Sequence, residues 1–286
     1  MEVQCCQQII HMERRPLVMG IINVTPDSFS DGGKFATADA AINHGLELVR
    51  QGADILDVGG ESTRPGSMPV SLEEELNRVL PVVKALAAQT AIPISADTSK
   101  AEVARQSLAA GAKIINDVTA LTGDPDMSRV IAESQAGVVL MHMQGTPATM
   151  QIEPHYDEVV AEISRFFEER LHSLAANGIG AQHVILDPGI GFGKTAAHNL
   201  EILARLEEFL RLGRPICLGV SRKGILGRAL GQKPVHQRLA GGLAVLGFAL
   251  GRKAVHLIRV HDVEETRDFV NMFTVLSEQH SIGRPV

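Results

Sequence analysis

The stretch MGIINVTPDSFSDGG, residues 19–33, decides how the rest of the chain is read. The apolar run from Leu17 to Ile22 shows no polar alternation, the pattern of a strand covered on both faces of a parallel sheet. It breaks at Asn23, and Thr25, Pro26, Asp27, Ser28, Phe29, Ser30 and Asp31 then form a polar loop ending in Gly32 and Gly33. Polar side chains just past the C-terminal end of a buried strand are where α/β enzymes place chemistry. A lone Asn-Val-Thr-Pro-Asp reads more readily as a capped strand end with an Asx-Pro turn. Recurrence of the same event along the chain is what favours the functional reading.

Working outward, helical periodicity over 36–51 stops at Gly52, and the strand 54–58 ends in Gly59, Gly60, Glu61, Ser62, Thr63 and Arg64. Ser71 with Glu74 three residues on predicts a capped helix to about Gln89. Strands over 92–96, 113–115, 138–141, 183–186, 215–220 and 254–260 follow, separated by helical segments over about 100–110, 124–136, 157–177 and 198–211, then a short helix and the Gly/Ala-rich 239–251, with a last helix to about Ser277. Eight strand-then-helix units without a dinucleotide fingerprint predict a single (β/α)8 TIM barrel of the α/β class, in preference to an open doubly wound sheet. The expected organisation is a short N-terminal extension, 1–16, and one barrel domain, 17–286. In the extension only Ile9 and Ile10 read as an apolar core, and Glu2 and Glu13 argue against a signal peptide.

A net charge of −6 sets nucleic acid and anionic membrane surfaces aside as partners, so any anion site has to be local. Cys5, Cys6 and Cys217 share no metal or redox spacing, which fits a reducing cytoplasm. The apolar stretch 239–251 lies between Arg238 and Arg252 and is too short to span a bilayer.

In a barrel, Asn23, Asp57, Asp97, Asn116, His142, Asp187, Lys223 and Arg259 converge on one mouth. Carboxylates and cations buried there must pair with one another or with a ligand. A carboxylate accepts a planar N–C–N edge in the fork geometry it offers arginine. Residues 187–195, DPGIGFGKT, end like a phosphate-binding P-loop, but Pro188 stands where that motif needs glycine, so nucleoside-triphosphate binding is rejected. Its glycines instead suggest close backbone approach to a flat ligand, with Phe192 offering a ring face.

The motifs NVTPDSFSDGG (23–33), DVGGESTRPG (57–66), ADTSK (96–100), IINDV (114–118), MHMQGTP (141–147), LDPGIGFGK (186–194), SRKG (221–224) and IRVHD (258–262) resemble, in order, those of the dihydropteroate synthase family of pterin-binding enzymes. That resemblance covers about 17–280 and implies condensation of 6-hydroxymethyl-7,8-dihydropterin diphosphate with 4-aminobenzoate, in folate biosynthesis, to give 7,8-dihydropteroate and diphosphate. It further implies a dissociative, SN1-like substitution, inhibition by sulfonamides, Mg2+ as cofactor, and a cytoplasmic homodimer.

Carried over by motif, the resemblance assigns the pterin to Asp97, Asn116, Val118, Met141, Asp187, Gly219, Lys223 and Arg259. It assigns the diphosphate to Asn23, Arg64, Arg259 and His261, with Asn23 also bound to the metal. The aminobenzoate and sulfonamide slot falls to Phe29, Thr63, Pro65, Phe192, Ser221 and Lys223. Asp97, Lys223 and Arg259, with Asp31 and Arg64 from two closing loops, would carry catalysis. One departure is Gly224, where many members carry Ser or Arg beside the aminobenzoate carboxylate. Rival readings are a pterin-dependent methyltransferase on the same barrel, which needs no diphosphate set, a Schiff-base aldolase using Lys223, which the nearby charges would keep protonated, and a catalytically idle pterin-binding protein.

Overall fold

The computed structural model of the chain describes residues 1–12, 15–25, 34–64 and 66–282, with backbone alone at 34–37 and 280–282. Eight parallel strands form the sheet: β3 (Leu17–Asn23), β4 (Ile55–Gly59), β5 (Ile94–Asp97), β6 (Ile114–Asp117), β7 (Gly137–Met141), β8 (Val184–Asp187), β9 (Cys217–Leu218) and β10 (Leu257–Val260). Their spatial order is β8-β7-β6-β5-β4-β3-β10-β9. Pairing of Leu186 with Ile216 joins the two outer strands and closes the barrel. Strand β9 is shorter than its apolar run suggests: only Cys217 and Leu218 pair with β10, opposite Leu257 and Ile258.

The helices are α1 (Lys34–Arg50), α2 (Leu72–Gln89), α3 (Ala101–Ala109), α4 (Met127–Ser134), α5 (Val159–Ala176), α6 (Ala196–Ala204), α7 (Gly224–Ala229), α8 (Leu239–Gly251) and α9 (Val263–Ile282). Ser71 caps α2 by accepting from the Glu74 N–H at 3.2 Å. Helix α4 starts three residues later than its periodicity predicts. Asp124 is the reason: one of its oxygens takes the Ala101 N–H at the start of α3 and the other takes the Asp126 N–H. Helix α6 ends at Ala204 and gives way to a 3-10 turn over Leu206–Leu212.

Parity along the strands sorts the core into two shells. Val18, Ile22, Leu56, Val58, Ile115, Val138, Leu140, Val184, Leu186, Leu218 and Ile258 point outward to the helices. Met19, Ile55, Ile114, Val139, Ile185, Cys217 and Leu257 point inward and fill the barrel floor.

That floor is capped by an element the sequence reading missed. Residues β1 (Glu2–Cys5) and β2 (Gln8–His11) form an antiparallel hairpin, with Val3 facing Ile10 and Cys5 facing Gln8. Val3, Cys5 and Met12 are buried in the floor cluster, whereas Ile9 is exposed. The apolar side of the extension is therefore Val3, Cys5 and Met12 with half-buried Ile10, and Ile9 falls on the other face. Alternation over a four-residue strand is too short to choose the inward set without knowing what lies above it.

Candidate active site

Two residues beyond six of the floor positions, on the same inward parity, stand the mouth residues. Ile55 leads to Asp57, Ile114 to Asn116, Val139 to Met141, Ile185 to Asp187, Cys217 to Gly219 and Leu257 to Arg259. Four of these strands, β4, β6, β8 and β10, thus change from apolar to polar or charged chemistry within one pleat repeat. Asp97 joins the same layer from the end of β5, and Met141 and Val118 line it as buried apolar walls.

Arg259 ties one side of the mouth together. Its Nε donates to Asp57 Oδ2 at 2.7 Å and its Nη2 to Asp97 Oδ2 at 2.6 Å. Asn116 Nδ2 donates to the same Asp57 oxygen at 3.0 Å, while Asp57 Oδ1 is buried without a hydrogen-bond partner. Burial opposes the arginine's charge, but the two carboxylates outweigh it and hold Arg259 above its ordinary range. Burial pushes Asp97 up to about 7 against the pull of Arg259. Asp57 was placed at a strand end by the sequence reading but given no role. Its inward parity with Ile55 was the signal that could have found it.

Asp187 and Lys223 face each other across Gly219. A methyl group on Gly219 would lie 3.9 Å from Lys223 Nζ, 4.0 Å from Asp187 Oδ2 and 3.9 Å from Arg259 Cβ. A glycine there therefore leaves room between the two charges for a planar group. Asp187 Oδ1 takes the Gly189 N–H at 2.8 Å, yet burial still raises its pKa. Burial likewise pulls Lys223 down to about 8, so the ammonium form predominates at neutral pH, as the sequence reading expects. Lys223 donates to the Ile190 carbonyl, and its Nζ sits 4.6 Å from the Phe192 ring centre.

His261 and Ser221 form a third group, with Ser221 Oγ 3.0 Å from His261 Nδ1 and accepting the His261 N–H at 3.2 Å. Burial, then Arg222 and Arg259, push His261 down to about 4, and Arg64 adds to that positive field. Ser221 thus stands with the expected diphosphate residues. Asn23 ends β3 opposite Gly59. Arg64 is exposed, on a loop fixed where Ser67 Oγ donates to the Arg64 carbonyl at 2.8 Å and Gly66 N–H to the Pro147 carbonyl at 3.2 Å. Thr63 is half-buried on the same loop. Phe29, Asp31 and Pro65 lie outside the described residues. Gly224 opens α7, and a side chain added there meets nothing within 4 Å.

Two expectations are corrected. His142 is not at the mouth: it is buried, with its ring 4.9 Å edge-on from Phe166 of α5, and burial pushes it down to about 2. Gly189 and Gly193, at φ 69° and 61°, approach protein backbone rather than a ligand. A Cβ on Gly189 would stand 1.9 Å from the His142 carbonyl oxygen, and one on Gly193 2.4 Å from that of Gln144. The rejection of a P-loop holds, because Lys194 is 1% exposed and Thr195 is the N-cap of α6.

A (β/α)8 barrel with paired charges at its C-terminal mouth places the chain among the barrel enzymes that bind a small polar ligand there. More narrowly, the chain belongs to the pterin binding enzyme family, which matches residues 19–261. The dihydropteroate synthase of Escherichia coli (strain K12) is 50% identical over 251 residues, 88% of this chain and 88% of that one. A solved Xanthomonas albilineans dihydropteroate synthase with 4-aminobenzoic acid superimposes with a TM-score of 0.89 at 47% identity, covering 99% of each chain. The Yersinia pestis dihydropteroate synthase in a sulfonamide drug complex gives 0.90 at 43%, covering 97% of this chain and 100% of that one.

Proposed function

We infer that this chain condenses 6-hydroxymethyl-7,8-dihydropterin diphosphate with 4-aminobenzoate, releasing diphosphate and forming 7,8-dihydropteroate. The observation that carries the reading is the mouth layer. A buried carboxylate and a half-buried ammonium flank the gap over Gly219, with an arginine and a histidine at the end of the adjoining strand. That set matches a heterocycle with donors on one edge, an acceptor on the other, and an anionic tail. It disfavours a methyl-transfer reading, which has no use for the arginine and histidine.

Asp187 accepts from the pterin 2-amino and N3 groups, beside Asn116, and Lys223 donates to the 4-oxo and N5 side. Met141 and Val118 wall the ring. Arg259 spends Nε and Nη2 on Asp57 and Asp97, which leaves Nη1 for the diphosphate. His261 and Arg64 complete the anion grip. The carbon–oxygen bond to diphosphate breaks with its electron pair leaving on oxygen. Asp97 and the electron-rich dihydropterin stabilise the cationic exocyclic carbon. The aniline nitrogen then donates its lone pair to that carbon and loses a proton, and no protein nucleophile is required.

Aminobenzoate sits against Phe192 and the Lys223 stem, with Thr63, and with Phe29 and Pro65 by family motif. Sulfonamides compete for that slot. Asn23 offers Mg2+ a single amide oxygen, and no cluster of three His, Cys, Asp or Glu ligands occurs among the described residues. Such a donor set suits an ion that takes the rest of its shell from phosphate oxygens and water. When bound, Mg2+ neutralises charge developing on the leaving diphosphate.

A homodimer through α8 and α9 is supported by Phe248, Met272, Val275 and Leu276, all exposed on those two helices. Cytoplasmic placement is supported by three free cysteines, and among the described residues no helix is long and apolar enough to cross a membrane. The deciding experiment is an assay for dihydropteroate from the two substrates with and without Mg2+. Product that depends on both substrates, with inhibition by a sulfonamide that aminobenzoate relieves, is the expected result. Failure to form product from the purified chain would overturn the reading.

A further inference from the structure

Lys194 takes no part in the chemistry above, yet it is among the largest fully buried side chains of the protein. Its Nζ donates to three acceptors: His142 Nδ1 at 3.0 Å, the His142 carbonyl at 3.2 Å and the Phe192 carbonyl at 2.8 Å. Three ammonium N–H groups meet three acceptors in a space shut off from water. His142 can accept because burial, reinforced by Lys194 itself, keeps the imidazole neutral. Burial pulls Lys194 down to about 7 against the pull of Asp187, and a buried ammonium needs complete hydrogen bonds in place of water, so the site is built around this side chain.

The segment it holds is the loop between β8 and α6. That loop is braced elsewhere by weaker means. Tyr156 Oη donates to the Gly193 carbonyl at 2.9 Å, and Gln151 Nε2 to the Gly191 carbonyl at 2.8 Å. Phe192 belongs to this loop, and its ring lies against Lys223 Nζ. The opposite end of the loop is fixed separately, by Asp187 through the Gly189 N–H. Two ends of one loop thus answer to two different charges. The end with Asp187 serves the pterin, and the end with Phe192 serves the aryl amine.

We propose that Lys194 is the positioning residue for the acceptor substrate: by clamping the Phe192 carbonyl to His142 it sets where the Phe192 ring lies, and so how the aryl amine seats beside Lys223. The proposal rests on the condensation reading above. It concerns selectivity between the two substrates, which overall stability does not affect, because partial unfolding lowers the number of active molecules without changing KM.

The test is Lys194→Met, which keeps length and loses the three donors. KM for 4-aminobenzoate should rise about tenfold or more, the effect of removing a hydrogen bond to a charged group. Affinity for 6-hydroxymethylpterin, read by calorimetry, should stay within about twofold of wild type, as for independent sites. In Lys194→Ala, propylammonium chloride should lower KM for aminobenzoate where potassium chloride at equal ionic strength does not. If Lys194→Met fails to fold, Tyr156→Phe decides. It removes one neutral bond from the same loop and should raise aminobenzoate KM about threefold with pterin affinity unchanged. Unchanged aminobenzoate KM in the folded variants, or equal losses for both ligands, overturns the proposal. Those outcomes leave wild type active, whereas a wild type that makes no dihydropteroate refutes the condensation reading instead.

Discussion

At the floor of the barrel Ile55, Ile114, Ile185 and Leu257 pack under Val3 and Cys5 of the hairpin, while two residues further along the same strands stand Asp57, Asn116, Asp187 and Arg259. The floor gains stability from being dry. The mouth loses some for the same reason, since burial acts against every charge it holds. Asp97 is raised from 3.8 to about 7, so its contribution to stability is full below about pH 4 and is lost as pH rises through 7. Lys223 is lowered from 10.5 to about 8, so its contribution is full above 10.5 and is lost as pH falls through 8. Near neutrality both groups lie on the unfavourable side. A ligand that pairs with them would offset that cost, and one strand can serve both ends because its side chains repeat every second residue.

The comparison breaks most sharply if mouth charges are structural after all. Asp187→Ala leaves Lys223 without its nearest buried counter-charge, and pterin affinity should fall by about 30-fold to several thousand-fold. Calorimetry giving near-native affinity would remove Asp187 from the site. At the floor, Met12→Ala should cost about 2–5 kcal/mol of unfolding free energy by urea titration, with both KM values intact. A changed KM would show that floor and mouth are coupled.

Between these extremes lies Asp57→Asn. Arg259 keeps Asp97 but loses its charged partner on Nε, and kcat/KM for the pterin diphosphate should drop about 10- to 100-fold. Steady-state kinetics showing no drop would make Asp57 a bystander. The smallest expected effect is on pH. His261 sits at about 4 in the free protein and is neutral at pH 7, but a bound diphosphate favours its imidazolium form. Binding therefore takes up a proton, and affinity for diphosphate should strengthen as pH falls, by at most about tenfold per unit. His261→Asn should lose that portion, while the ligand's own titration remains in both proteins.

The barrel was legible because its strands are uniformly apolar and each stops at a polar residue, a signal repeated eight times. Most of the mouth was legible for the same reason. The hairpin was not, since four-residue strands with glutamine on both faces carry no decisive period. His142 misled because a polar residue at a strand end points to either shell, and only the Phe166 ring and Lys194 show which one took it. Lys194 itself ends a run that resembles a P-loop, a reading Pro188 already rules out, and nothing in the sequence gives the lysine another place. Its burial follows from the close approach of the 189–193 loop to residues 142–144, a contact between motifs some fifty residues apart.

The hydrogen bond from Tyr156 to the Gly193 carbonyl has an optical consequence. The chain has no tryptophan and a single tyrosine, so its phenol emission reports from one place, beneath the loop that carries Phe192. Burial raises the Tyr156 pKa, so the phenol stays neutral and emissive across the working range of pH. Any change at the Gly193 carbonyl when the acceptor slot is filled would therefore register in that one phenol, a built-in, label-free fluorophore beneath the loop.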